Sequence, residues 1–230
     1  MTHHPAPYSE EIILLHKELL RGRKVRALDP FAGVGRGLDF VPSGSSVTLV
    51  EIEPEWADVC RAAAERRQDL KVTVVQGDSR TSIPRRKYTH IFTSPTYGNR
   101  FTDPYLPNPK WRRRSYAQSL KRPVSDGATS RFGFHTEQYR NLNAEVMERA
   151  VGRLEDGGEA WINVSDFYRT TNKGEEPTRM LVTLWWVNLM HDLGLVLREA
   201  HPVYTRRFKD GENRHRAAYE SLLIFVKEEL

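Results

Sequence analysis

Short apolar strands that alternate with helices constrain the fold of this chain more than any other feature. Strands are predicted at residues 24–29, 46–50 and 71–75, and a helical pattern at 54–67 separates the second from the third. This alternation is typical of a parallel sheet with helices on both faces, because each parallel connection must cross the sheet. Two last strands, at 195–203 and 217–226, predict an antiparallel hairpin at the sheet edge. The remaining elements are predicted as strands at 90–92 and 159–164, helices at 9–22, 136–156 and 178–192, and a polar loop at 165–177.

A glycine-containing turn follows the first of these strands. The run Asp29-Pro30-Phe31-Ala32-Gly33-Val34-Gly35 would let the backbone approach a ligand closely. Glu51 ends the second strand, eighteen positions after Gly33, where a carboxylate can accept hydrogen bonds from both ribose hydroxyls. Asp78 follows the third strand and can accept from an adenine amine. Because parallel strands end at the same edge, these groups are expected on one rim.

A second loop, Ser94-Pro95-Thr96-Tyr97-Gly98, follows the strand that contains Ile91 and Phe92. Pro95 and Gly98 prevent the strand from continuing and predict a rigid turn. Such a turn can bind a flat ring that carries an exocyclic amine. The Ser94 hydroxyl and the Pro95 carbonyl would accept from the amine, and the ring would stack on Tyr97.

Residues 100–135 form an insertion without a sustained helical or strand period, in which cations alternate with aromatic side chains. Irregular segments of this length are usually functional or disordered. Basic and aromatic residues together suit phosphate contacts and base stacking, so we expect this segment to bind the target. The basic connection between the last two strands is a second candidate for nucleic-acid binding. The predicted nucleic-acid contacts are Arg100, Lys110, Arg112, Arg113, Arg114, Arg206 and Arg207.

Length, charge and cysteine content limit the class of protein to which this chain can belong. The 230 residues carry a formal net charge of +5, which permits a polyanionic partner, and the length suits a single domain spanning 1–230. Cys60 is the only cysteine, so a disulfide framework is excluded and a reducing cytoplasm is expected. It lies in a helical pattern that predicts a buried thiol. No segment has the apolar length of a membrane span, and no metal site is predicted.

Four stretches together resemble the class I S-adenosylmethionine-dependent methyltransferases, and among them the DNA amino-methyltransferases of bacteria and their phages. His4-Pro5-Ala6-Pro7-Tyr8 is similar to the family's N-terminal cofactor motif, and residues 29–35 are similar to its D-P-F-x-G-x-G turn. Glu51 and Asp78 stand where the family binds ribose and adenine, and Ser94-Pro95-Thr96-Tyr97 resembles its catalytic S/D/N-P-P-Y/F/W motif. Thr96 replaces the usual second proline, which relaxes the loop and leaves open a weakened or repurposed site.

The resemblance implies a Rossmann-like, mostly parallel seven-stranded sheet with an antiparallel edge hairpin. It also implies S-adenosylmethionine as the cofactor. The cofactor-binding residues would be Pro5, Asp29, Phe31, Gly33, Gly35, Glu51 and Asp78, and the catalytic ones Ser94, Pro95 and Tyr97.

For the substrate, the resemblance implies an exocyclic amine of a DNA base in a bacterial or phage-infected cell, and Ser94 favours cytosine N4 slightly over adenine N6. Three alternatives stay open: an RNA amino-methyltransferase, a non-catalytic nucleic-acid-binding protein, and a nicotinamide oxidoreductase, which would give Ser94 to Tyr97 no task.

Overall fold

The computed structural model describes residues 8–98, 105, 107, 115–169, 176–204, 217 and 219–228. Several predicted site residues therefore lie outside the described residues. They are Pro5, Arg100, Lys110, Arg112, Arg113, Arg114, Arg206 and Arg207.

A seven-stranded sheet forms the centre of the protein. Its strands are β1 (Arg26–Asp29), β2 (Ser46–Glu51), β3 (Lys71–Gln76), β4 (Tyr88–Thr93), β5 (Leu154–Val164), β8 (Leu195–Val203) and β9 (Glu220–Lys227). They lie in the order β3-β2-β1-β4-β5-β9-β8. The first five strands pair in parallel, whereas β9 runs antiparallel between β5 and β8. This arrangement confirms the predicted α/β fold with its edge hairpin.

The strand order reverses between β1 and β4, because the chain moves outward through β2 and β3 and then returns to the other side of β1. In open parallel sheets a crevice forms at such a reversal, outside the carboxyl ends of the strands. The glycine turn follows β1 and the Ser94 loop follows β4, so both begin at this crevice.

Helices cover both faces of the sheet, as predicted. They are α1 (Glu10–Leu19), α2 (Pro54–Glu65), α3 (Ser79–Ser82), α4 (Tyr116–Leu120), α5 (Glu137–Val151) and α6 (Val182–Asp192). Ile12 of α1 and Cys60 of α2 belong to one buried cluster. Met147 of α5 and Trp186 of α6 belong to a second cluster. The Cys60 side chain is fully buried, which confirms the buried thiol.

Alternating side chains of the central strands supply the two clusters. On β4, Ile91 packs into the cluster with α5 and α6, and its neighbour Phe92 packs into the cluster with α1 and α2. On β5, Ile162 packs into the cluster with α5 and α6, and its neighbour Trp161 packs into the cluster with α1 and α2. Successive strand residues point to opposite faces, so the central strands are apolar on both sides and fix the register of the sheet.

Two local features differ from the prediction. Strand β5 begins at Leu154, before the predicted 159, because residues 155–158 form an irregularity in its pairing with β4, with Gly157 at φ 72°. The predicted polar loop and the start of the predicted helix contain a small antiparallel sheet of β6 (Phe167–Arg169) and β7 (Thr178–Met180). In the described part of the chain, no helix combines the length and apolarity that a membrane span needs.

Candidate active site

The turn after β1 is held in place by bonds from three neighbouring segments. The amide N–H of Phe31 donates to Asp29 Oδ1 at 3.0 Å, and the N–H of Ala32 donates to the Val50 carbonyl at 3.1 Å. The Ser79 hydroxyl donates to the Pro30 carbonyl at 2.6 Å. The turn is thus tied to the ends of β2 and β3 and opens toward the crevice.

Gly35 has a conformation that other residues rarely adopt. Its φ is 75°, and a Cβ there would lie 3.2 Å from Cys60 Sγ. Gly33 is also left-handed, at φ 55°, and its carbonyl accepts from the Cys60 thiol at 3.3 Å. Helix α2, which contains Cys60, therefore packs directly beneath the turn, and this packing requires glycine at position 35.

Glu51 bridges the turn and the start of α2. Its Oε2 accepts from the N–H of Gly33 at 2.7 Å, and its Oε1 accepts from the N–H of Glu53 at 2.9 Å. An ionised carboxylate has about four acceptor positions, so capacity remains for two further donors. Burial is the largest cause that raises the pKa of Glu51, from an ordinary 4.5 to about 8.

Asp78 uses its carboxylate on Arg80. Both oxygens accept from the Arg80 guanidinium, at 2.7 to 3.1 Å, and Oδ1 also accepts the Arg80 N–H at 2.9 Å. Burial raises the pKa of Asp78, but these bonds outweigh it and lower the pKa below its ordinary value. Asp78 lies at the predicted adenine position, yet Arg80 fills most of its acceptor capacity.

Part of the predicted basic insertion folds over this end of the sheet. We call residues 115–134 the cover segment; they contain α4 and a short 3₁₀ turn, Thr129–Arg131. Arg122 binds the buried Glu53 at 2.7 Å and Glu55 at 2.8 Å. Ser125 donates to Glu53 through both its N–H, at 2.8 Å, and its hydroxyl, at 3.0 Å. A Cβ on Gly127 would lie 2.3 Å from Asp78 Oδ2, so the segment touches this carboxylate closely.

A pocket lies between the cover segment and the sheet. It encloses about 600 Å³, counting the solvent at its mouth. The glycine turn, Glu51 and Asp78 line it, and so do Ser94 and Thr96 of the second loop. The remaining walls come from the end of β2, the start of α2, the cover segment and α5, and include Val50, Ile52, Glu53, Trp56, Tyr116, Gly127, Ala128, Thr129, Ser130, Leu142 and Val146.

The Ser94 loop is fastened to the cover segment and to α5. The Thr96 hydroxyl donates to Thr129 Oγ1 at 3.0 Å, and the Tyr139 hydroxyl donates to the Thr96 carbonyl. The N–H of Phe134 donates to the Gly98 carbonyl at 3.0 Å. Where the family pattern has a second proline, this chain therefore has a side chain that binds the cover segment.

A polar cluster lies at the carboxyl edge beside the loop. Asn163 Nδ2 lies within hydrogen-bond distance of three acceptors and shares its two hydrogens among them: Ser94 Oγ at 3.3 Å, the Tyr97 hydroxyl at 3.1 Å and Glu220 Oε2 at 2.9 Å. The Tyr97 hydroxyl lies 3.4 Å from both Ser94 Oγ and Glu220 Oε2. Asn163 and Glu220 are buried, at 1 % and 8 % exposure. The predicted catalytic side chains thus contact two residues that the sequence analysis did not select.

A buried tyrosine from the N-terminal segment, Tyr8, interacts electrostatically with residues of both loops. Burial raises the pKa of Tyr8 well above 10.0, and Asp29, Tyr97 and Glu220 raise it further. Burial also raises the pKa of Asp29, to about 7. Among the described residues the Tyr8 hydroxyl has no hydrogen-bond partner. The phenol is therefore a protonated donor placed between the two loops.

Solved structures were compared with this fold. A putative class I S-adenosylmethionine-dependent methyltransferase from Listeria monocytogenes aligns with a TM-score of 0.59 and 14% identity, over 97% of this chain and 61% of that one. TrmN from Thermus thermophilus aligns with a TM-score of 0.50 and 17% identity, over 94% of this chain and about half (48%) of that one. The glycopeptide N-methyltransferase MtfA, complexed with S-adenosyl-L-homocysteine, aligns with a TM-score of 0.56 and 13% identity, over 97% and 91%.

The fold is that of the class I methyltransferases. No protein-family model matches the sequence, and a search of curated proteins finds no significant match. Identities this low show a shared fold only, so the substrate of each methyltransferase is a property of that protein. The neighbours agree with the cofactor predicted for this chain, since one of them holds the demethylated cofactor product.

The pocket has the features that a methyltransferase cofactor needs. Its glycine turn presents the backbone, Glu51 has two acceptor positions left, and Val50 and Ile52 offer apolar walls for a flat ring. In contrast, Asp78 has little acceptor capacity while Arg80 holds it. The described residues therefore fit an adenosine with its ribose on Glu51, whereas the predicted adenine contact would need Arg80 to move.

Proposed function

We propose that this protein is an S-adenosylmethionine-dependent methyltransferase that modifies an exocyclic amine of a DNA base, with cytosine N4 favoured over adenine N6. One observation carries the proposal: the glycine turn and the Ser94 loop line the same pocket. A methyl donor on the first loop and an amine on the second would share one space, and close approach of the reacting groups supplies much of an enzyme's rate.

The cofactor would supply an electrophilic methyl group carried on a sulfonium. Asp29, Phe31, Gly33, Gly35 and Glu51 would hold it, together with Asp78 and with Pro5, which lies outside the described residues. Direct transfer to an amine needs no covalent bond to the protein. The task of the chain is therefore to position the two reactants and to exclude water.

The Ser94 loop would bind the amine. Ser94 Oγ and the Pro95 carbonyl would accept hydrogen bonds from its two N–H groups, which favours the pyramidal nitrogen of the transition state. The Tyr97 ring would stack on a base turned out of the duplex, since the amine is unreachable within it. Asn163 and Glu220 hold the Tyr97 hydroxyl, so the ring is fixed before a base arrives.

The predicted cations would bind the phosphates on either side of the base. We assign this role to five cations of the predicted insertion and to two of the basic connection between the last two strands. They are Arg100, Lys110, Arg112, Arg113 and Arg114, and Arg206 and Arg207. All seven lie outside the described residues, and the proposal for them rests on composition and position in the sequence.

An RNA base is the second candidate. A Pyrococcus horikoshii protein whose structure is described as a putative RNA methyltransferase has this fold, with a TM-score of 0.50 and 13% identity over 95% of this chain. The same pocket and loop would serve either nucleic acid. The order Ser-Pro-x-Tyr and its resemblance to the DNA enzymes lead us to place DNA first.

The deciding experiment measures transfer of a labelled methyl group from S-adenosylmethionine. Unmethylated plasmid DNA, in duplex and denatured form, and total bacterial RNA are compared as acceptors, and the product nucleoside is identified by mass spectrometry. We expect N4-methylcytosine in DNA. Ser94→Ala and Tyr97→Ala should each lose about a hundredfold or more in rate, because each removes a contact to the reacting base.

Calorimetry of cofactor binding provides the control for these variants. Both should bind S-adenosylmethionine as the unaltered protein does. Ser43→Ala serves as the matched substitution, because Ser43 is exposed in the turn before β2, at the opposite edge of the sheet. Unchanged transfer in both Ser94→Ala and Tyr97→Ala would contradict the assignment, and transfer to RNA alone would favour the second candidate.

A further inference from the structure

Glu220 is a buried carboxylate beside the proposed catalytic loop, and the proposed function gives it no chemical task. It is the first residue of β9. Since β9 runs opposite to the other strands beside it, this first residue lies at the edge where those strands end. Glu220 therefore joins Ser94 and Tyr97 although it lies 123 positions after Tyr97 in the chain.

The hydrogen bonds around Glu220 have defined directions. Asn163 Nδ2 and the Tyr97 hydroxyl both donate to Oε2, at 2.9 and 3.4 Å. Because Tyr97 gives its proton to Glu220, the Ser94 hydroxyl is left to donate to Tyr97 at 3.4 Å. A continuous path thus leads from Ser94 through Tyr97 to the carboxylate.

Asn163 keeps this path oriented. Its amide nitrogen also lies 3.3 Å from Ser94 Oγ and 3.1 Å from the Tyr97 oxygen. The two amide hydrogens are thus shared among these oxygens and Glu220 Oε2, and the carboxylate, which can only accept, takes the hydrogen bond from Tyr97. The arrangement favours one direction of proton movement, from the substrate side toward β9.

The charges near Glu220 leave it available as a base. Among the described residues, neither Lys nor Arg forms an ion pair with it. The Tyr97 hydroxyl contacts Glu220 directly, and Tyr8 lies close enough to Glu220, Tyr97 and Asp29 to interact with all three electrostatically. Buried carboxylates are usually neutralised by a cation, so one held only by neutral donors in the described chain is typical of a functional site.

We propose that Glu220 is the final proton acceptor of the methyl transfer, reached from the substrate amine through Ser94 and Tyr97. This inference rests on the proposed function. As the nitrogen–methyl bond forms, the sulfur–methyl bond breaks and its electron pair stays on sulfur, which leaves the nitrogen with one proton in excess. That proton passes to Ser94 Oγ, the Ser94 proton passes to the Tyr97 oxygen, and the Tyr97 proton passes to Glu220 Oε2.

The first test is the dependence of kcat on pH. In the unaltered protein kcat should fall with unit slope at acid pH, because a protonated Glu220 cannot accept. Glu220→Gln should lower kcat about a hundredfold and lose this acid limb, since loss of a general base costs that much or more. Tyr97→Phe keeps the ring but cuts the path, so it should show the same loss, and the double variant should be no slower than either single one.

The second test needs neither cofactor nor turnover. The side-chain amide resonance of Asn163 should shift with pH as Glu220 takes up a proton, and Glu220→Gln should abolish that shift. Glu199→Gln is the matched control: it makes the same substitution on the neighbouring strand β8, in a partly exposed pair with His201. It should leave both the pH profile and the Asn163 titration unchanged.

The outcomes separate this inference from the proposed function. Transfer that keeps its acid limb in Glu220→Gln, or an Asn163 amide that does not titrate, overturns the role of Glu220 alone. An unaltered protein that methylates neither DNA nor RNA overturns the proposed function and this inference together.

Discussion

Two buried carboxyl groups dominate the electrostatics of the cofactor pocket. Burial is the largest cause that raises the pKa of Asp29 to about 7 and of Glu51 to about 8. The ordinary value for Glu is 4.5, so between these values the folded protein holds a proton that the unfolded chain has lost. Ionisation of Glu51 is therefore unfavourable in this buried position, and the free energy of unfolding falls as pH rises through this interval.

Cofactor binding should release a proton near neutral pH. Ribose hydroxyls would donate to ionised Glu51, which lowers its pKa on binding, so affinity for S-adenosylmethionine should increase as pH rises toward 8. Calorimetry in buffers of different ionisation enthalpy measures the released proton directly. Glu51→Gln should abolish the release and weaken binding by about tenfold or more. Proton uptake, or binding independent of pH, would contradict this reading of Glu51.

The residues of the two loops could be predicted from the sequence, but their partners could not. Each loop is a contiguous run in which proline and glycine determine the backbone conformation locally. Its position after a strand can therefore be predicted from the sequence. Asn163 lies 69 positions after Ser94, and Glu220 lies 57 positions after Asn163. Asn163 falls within an ordinary apolar strand and Glu220 begins another. No local pattern marks either side chain, and only the pairing of β5 with β9 brings them together.

Two arginines of the cover segment have acidic partners that composition does not reveal. Cations mixed with aromatic residues predicted a surface for nucleic acid across 100–135. In the described part, Arg122 instead binds Glu53 and Glu55, and Arg131 binds Asp126. Tyr116 packs edge-on against Trp56 at a ring separation of 5.7 Å. Composition cannot distinguish a cation that faces solvent from one paired with an acid, because the acids lie far away in the sequence.

Arg122→Ala should loosen the cover segment. It would leave Glu53, which is 1% exposed, without its cation. Breaking a fully buried pair costs ~3–5 kcal/mol, and we expect about 2 kcal/mol of unfolding free energy here because Arg122 is one-third exposed. Cofactor affinity should fall by roughly tenfold, because the cover segment, which forms one wall of the pocket, would have to become ordered when the cofactor binds. Denaturant unfolding and calorimetry measure the two effects.

Arg131→Ala is the matched control, because it removes an arginine of the same segment. Its partner Asp126 is 98% exposed, and such surface pairs contribute about 1 kcal/mol or less. We expect neither stability nor cofactor affinity to change measurably. Equal effects of the two substitutions would show that the contact between Arg122 and Glu53 does not hold the segment in place.

The architecture of the chain as a unit was more predictable than its details. Alternating strands and helices predicted a parallel sheet, whereas the order of its strands, with the reversal between β1 and β4, came from the structure alone. The small sheet of β6 and β7 was missed because three-residue strands have no measurable period. The early start of β5 was missed because Asp156, Gly157 and Gly158 resemble the end of a helix, while strand pairing overrides that local preference.

The proposed phosphate contacts predict a measurable salt dependence. If Arg112, Arg113 and Arg114 each neutralise a phosphate of duplex DNA, their replacement by Gln should reduce the slope of log K against log salt by about 3. Filter binding across a salt series gives this slope. Arg21, Arg61 and Arg66, replaced together by Gln, serve as the control, since these exposed cations lie near the end of α1 and along α2. Equal changes in the two triple variants would indicate nonspecific attraction to net charge.

The reversed direction of β9 has a consequence for shortened forms of this gene. A product that stops before residue 195 would still carry the glycine turn and the Ser-Pro-Thr-Tyr loop. It would lack the carboxylate that contacts Tyr97 from the far end of the chain. We expect such a product to be inactive in methyl transfer, because the Ser94 loop would lack its contact with Glu220.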